Sequence, residues 1–149
     1  MYFNCRSLIP KFDELATLCS ANSPSIICLT ETWLCESISS NEILIPNYSV
    51  VRLDRHRHGG GVAIYVHNCF AFKVLLKVKV LLYGPSGLEL LVLSLSPDNN
   101  PNLTMCTGVF IDHHPQPMIF LILFVTASFV FHLPIFLILY SSEILMLIY

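Results

Sequence analysis

The sequence predicts an α+β protein: one helix followed by a run of mostly antiparallel strands. Three observations carry that prediction. A short apolar run, Ile26-Ile27-Cys28-Leu29, is entered through Asn22-Ser23-Pro24 and has the length and β-branched content of a strand buried on both faces. Ahead of it, Phe12, Leu15, Ala16 and Cys19 recur at helical spacing after Pro10, until Asn22-Ser23-Pro24 ends the pattern. Beyond it, residues 48–53, 62–67, 70–83, 88–95 and 103–110 have strand character and are punctuated by Gly, Pro, Asn and Ser.

In chain order, the helix is expected to lay one face on a sheet. The 26–29 strand then delivers Thr30 and a carboxylate, Glu31, followed by Thr32, Trp33 and Leu34. An acid at the exit of a core strand is well placed for chemistry, because the strand fixes the backbone while the side chain reaches the rim. Residues 35–48 mix Ser, Asn and Pro with Ile43, Leu44 and Ile45, which predicts a loop with at most a turn of helix.

The 48–53 and 62–67 strands should form a hairpin across Asp54-Arg55-His56-Arg57-His58 and three glycines, Gly59, Gly60 and Gly61. Arg52, Arg55 and Arg57 are candidate phosphate contacts there; a solvated hairpin tip explains most of the same charge. The glycines are not a phosphate-binding loop by sequence, since neither GxGxxG nor a GK[ST] ending is present. Lys73, Lys77 and Lys79 interrupt the 70–83 run, which suits an edge strand.

The composition is lopsided. Apolar residues make up 54% of the chain and charged residues 12%, and all eight Lys and Arg lie between Arg6 and Lys79. Residues 111–149 hold only Asp112 and Glu143 as charged groups, so the net charge of -2 describes neither half. The six cysteines form no CxxC pair or metal-ligand spacing, and Met1-Tyr2-Phe3-Asn4-Cys5-Arg6 has no signal-peptide pattern, so reduced thiols in a nuclear or cytoplasmic setting are expected. Asn102-Leu103-Thr104 matches a glycosylation sequon, which that setting makes a chance match.

Asn4-Cys5-Arg6-Ser7-Leu8, Lys11, Thr30-Glu31-Thr32-Trp33-Leu34 and Gly59-Gly60-Gly61-Val62-Ala63-Ile64-Tyr65-Val66 occur in the order of the opening motifs of the endonuclease/exonuclease/phosphatase superfamily. Within it they most resemble the endonuclease domain of non-LTR retrotransposons, over about residues 1–110. The resemblance implies roughly the first half of an α/β/β/α sandwich, followed by an apolar tail of doubtful fold. It also implies Glu31 as a Mg²⁺ ligand, Asn4 as a group orienting metal or phosphate, DNA as the partner, and nicking of one strand as the reaction. Intact members add a Tyr, the acid and amide of a Gly-Asp-Phe-Asn motif, and an Asp-His pair, none of which stands in frame here. A single carboxylate cannot build such a site, so a catalytically inactive remnant is expected, with one sheet face left uncovered and a tendency to aggregate.

Residues 118–140 carry no Asp, Glu, Lys or Arg and are long enough to span a bilayer, so a membrane-anchored protein with a β-rich cytosolic domain is the competing expectation. Against it, no Lys or Arg follows Lys79 to set an orientation. A shifted reading frame accounts for the tail more fully. Read one base earlier, codons for Phe110-Ile111-Asp112-His113-His114 permit Tyr-Arg-Pro-Pro, and those for Ser142-Glu143-Ile144-Leu145-Met146-Leu147-Ile148 permit Gly-Asp-Phe-Asn-Val-Asp. Both match what the resemblance implies, in order. On this reading His113 and His114 have no metal role, and residues 111–149 are out-of-frame text.

Overall fold

The computed structural model describes residues 1–56, 58–81, 87–99, 103–112, 118–127, 135–140 and 143–148. The chain is α+β, as the sequence predicts. Its elements are β1 (Tyr2–Asn4), α1 (Phe12–Asn22), β2 (Ile26–Thr30), β3 (Tyr48–Leu53), β4 (Val62–His67), β5 (Phe70–Leu81), β6 (Gly87–Pro97), β7 (Leu103–Asp112), β8 (Met118–Ala127), β9 (Ile135–Tyr140) and β10 (Glu143–Ile148).

One sheet has the order β1-β2-β4-β3 and a second has the order β5-β6-β7-β8. The β1-β2 pair is parallel, with Asn4 opposite Thr30; every other pairing is antiparallel among the described residues. A parallel neighbour needs a crossover, and α1 with its preceding turn supplies it. Pro10 sits in a 3₁₀ turn, Ile9–Lys11, and α1 proper begins at Phe12. It ends at Ser23, whose left-handed backbone (φ 44°, ψ 51°) turns its N–H onto the Cys19 carbonyl at 2.8 Å. The buried helix face is Leu15 and Cys19 with Phe12 beside them, and it meets Ile27 and Leu29 of β2 and Ala63 and Tyr65 of β4. Residues 35–48 carry one turn of 3₁₀ helix, Ser40–Ile43, closed by a capping box between Ser39 and Glu42.

The opposite face of the first sheet is not left open, which corrects the expectation of an uncovered layer. Cys28, Val51, Val62, Ile64 and Val66 pack on Leu91, Leu93 and Leu95 of β6. Those leucines are fully buried, and burial of each contributes about 1.5–3 kcal/mol. β2 and β4 are therefore covered on both sides, by helix and by sheet. Three layers, α/β/β, are present among the described residues, three of the four that make the expected sandwich.

The described parts of the 118–140 run, Met118–Ala127 and Ile135–Tyr140, are strands rather than a membrane helix: β8 pairs with β7, and β9 pairs with β10. Among the described residues no helix is long and apolar enough to cross a membrane. An aromatic and β-branched run satisfies its backbone in a ladder at least as readily as in a helix. His113, His114 and Asn102 lie outside the described residues.

Candidate active site at the carboxyl end of the parallel pair

Because β1 and β2 run in the same direction, Asn4 and Glu31 leave the sheet at the same end. Asn4 is exposed and faces Thr30 across the ladder, and Glu31 is the first residue after the facing strand. The chain after β1 continues the ladder without strand geometry: Cys5, Ser7 and Leu8 donate their N–H groups to the carbonyls of Thr30, Glu31 and Thr32, each at 2.9 Å. Beneath, the Tyr2 hydroxyl and Thr30 Oγ1 lie 2.8 Å apart, and burial pushes the Tyr2 phenol above its ordinary pKa.

The backbone at this rim is strained. Among the described residues six non-glycine residues have positive φ, and four of them are here: Arg6 (44°), Ser7 (79°), Glu31 (54°) and Trp33 (53°). Such conformations cost on the order of 1–3 kcal/mol each and persist where the surroundings over-determine them. For Glu31 those surroundings are specific. Its Oε2 accepts from Trp33 Nε1 at 2.7 Å and from the Gly60 N–H at 2.9 Å. The glycine turn is held in return, since Trp33 N–H donates to the Gly60 carbonyl (2.9 Å) and Thr32 N–H to that of Gly61 (3.1 Å).

A second acid, which the sequence reading passed over, stands behind the first. Glu89 of β6 is fully buried, accepts from the Gly61 N–H at 3.1 Å through Oε2, and has Arg55 Nε 3.5 Å from Oε1. A signal for it existed. Glu89 is in phase with Leu91, Leu93 and Leu95, so strand alternation puts its carboxylate on the core face.

Arg52 and Arg55 are turned inward onto partners within the chain. Arg52 donates from Nε to Asp54 Oδ1 (2.8 Å), from Nη1 to the Ile38 carbonyl (2.9 Å), and from Nη2 to the Cys35 carbonyl (2.9 Å) and Asp54 Oδ2 (2.5 Å). It fastens the 35–38 loop to β3. The Arg55 side chain is 6% exposed and faces Glu89, so it is a core counter-ion and not part of a solvated tip. Arg57 lies outside the described residues. Lys77 and Lys79 of the edge strand β5 reach across to the carbonyls of Arg52 (3.0 Å) and Asp54 (2.7 Å).

Chemically, the rim offers one well-oriented carboxylate. Mg²⁺ takes several oxygen ligands in near-octahedral order. Glu31 Oε2 already receives two N–H groups, and among the described residues no group of three or more His, Cys, Asp and Glu could hold a metal ion. The donors described do not fit a Mg²⁺ site.

Comparison of the sequence with protein-family profiles and with curated proteins yields no match. Among solved structures, the human Nocturnin catalytic domain with bound sulfate anion is similar at a TM-score of 0.49 and 13% sequence identity, over 72% of this chain and 46% of that one. The chain thus spans less than half of that domain.

Proposed function

We propose that residues 1–110 are the amino-terminal part of a Mg²⁺-dependent DNA endonuclease of the non-LTR retrotransposon type, that residues 111–149 are translated out of frame, and that these 149 residues by themselves do not cleave DNA. One observation carries the reading. Asn4 and Glu31, the two positions the motifs single out, leave a parallel strand pair at the same end, and Glu31 is aimed by Trp33 and Gly60 within a cluster of strained backbone. A surface glutamate with no task has no need of two donors and a left-handed backbone.

In this reading Glu31 is the first acid of a phosphodiesterase site and Asn4 its polar neighbour. In a complete site Glu31 would be one of the Mg²⁺ ligands and the metal would supply charge stabilisation, but the donors described do not by themselves hold it. The residues of this chain contribute orientation: the indole and the glycine amide keep the Glu31 carboxylate at the rim.

The test is nicking of supercoiled plasmid with Mg²⁺ by the full chain and by Glu31→Gln. Equal, background-level nicking by both is expected. Mg²⁺-dependent nicking that disappears in Glu31→Gln would overturn the assignment of inactivity.

A further inference from the structure

Gly60 and Gly61 are successive residues whose N–H groups go to two different acids from two different sheets. The Gly60 N–H binds Glu31 at the exit of β2, and the Gly61 N–H binds Glu89 on β6. Their carbonyls accept from Trp33 and Thr32. All four backbone polar groups of the pair are thus engaged, and the φ values of 74° and 84° that make this possible favour glycine. A Cβ on Gly61 would lie 2.5 Å from Thr32 Oγ1, so the turn is pressed directly against the segment that follows Glu31.

The ion pair by itself does not explain Glu89. A leucine there would extend the Leu91, Leu93 and Leu95 stripe, and replacing a buried ion pair by apolar residues of similar volume is often neutral or stabilising. What a leucine could not do is accept the Gly61 N–H. We infer that Glu89 is a positioning residue: with Arg55 as its counter-ion it fixes the glycine turn, and through the Gly60 amide the turn fixes the direction of the Glu31 carboxylate. The value of that direction rests on the reading of Glu31 as the site's acid, but the coupling itself is measurable without any activity.

The chain has one tryptophan, and its indole N–H is bonded to Glu31, so Trp33 reports the coupling. The experiment compares Trp33 emission and acrylamide quenching in the full chain with Glu89→Gln, Glu31→Gln, both together, and the charge-free pair Arg55→Met with Glu89→Leu. Glu89→Gln and Glu31→Gln should each raise the quenching constant about two-fold or more, as an indole released from a charge-assisted bond becomes freer. Their combination should exceed neither by much, because both act on one network. The Met/Leu pair separates positioning from folding, and stays informative if Glu89→Gln does not fold. It should still fold, with a melting temperature lowered no further than the loss of the one Gly61 hydrogen bond implies, and still show the raised quenching. Wild-type quenching in a folded Met/Leu pair overturns the inference. A failed nuclease reading would leave these fluorescence results unchanged.

Discussion

The Trp33 indole N–H and the Glu31 carboxylate, two residues apart, bond at 2.7 Å while both residues adopt left-handed backbone, with φ of 53° and 54°. The bond therefore offsets strain in its own segment. Trp33→Phe keeps the ring and removes the donor. Hydrogen bonds to charged groups contribute about 1.5–3 kcal/mol, and this one is half-exposed, so urea denaturation followed by far-UV circular dichroism should show a loss near about 1.5 kcal/mol. An unchanged midpoint would mean that the indole merely rests there.

The triple glycine makes a sharper contrast. Gly61→Ala would place a methyl 2.5 Å from Thr32 Oγ1 at a φ of 84°, whereas at Gly59 the nearest atom to an added Cβ is His56 Cε1 at 3.6 Å. Gly61→Ala is expected to lose about 2 kcal/mol or more, through overpacking and strain together, and Gly59→Ala to stay within about 0.5 kcal/mol of wild type. Thermal melts of the two variants side by side decide it.

Alkaline pH should weaken the fold through its buried thiols. Burial pushes Cys5 and Cys28 from an ordinary 9.0 up to about 11. Tyr65, buried between sheet and helix, is raised as well, by burial first. In each case the folded state holds its proton while the unfolded chain releases it. Stability is then fully present below pH 9 and is lost as pH rises from 9 toward 11, by on the order of 1 kcal/mol per pH unit per thiol. Melting temperatures should be flat between pH 7 and 9 and fall above it; for the Cys28→Ala variant the fall should be shallower.

Much of this was legible from periodicity. The 48–53 and 62–67 runs are β3 and β4 to the residue, and Phe12, Leu15 and Cys19 mark the helix face that is buried. The exit of β2 was legible because Glu31 breaks an apolar run. What periodicity conceals is pairing between distant strands. The cover supplied by Leu91, Leu93 and Leu95, and the seat of Glu89 behind Gly61, depend on how one sheet stacks on another, which no local spacing encodes. The same holds for the arginines. Arg52 and Arg55 look cationic as text, and only the fold turns them onto Asp54 and Glu89. Pro10 shows a smaller limit, since a proline suited to the first turn of a helix suits the 3₁₀ turn before it equally well.

The proposed function holds that a phosphodiesterase acid survives at the exit of β2 ahead of a tail read in the wrong frame. The coding DNA from the Phe110 codon through the Tyr149 codon and beyond, translated in all three frames, tests it most directly. The prediction is one alternative frame that spells Tyr-Arg-Pro-Pro and then Gly-Asp-Phe-Asn, and runs on without a stop. Codons at residues 110–114 or 142–148 that exclude those words would contradict it.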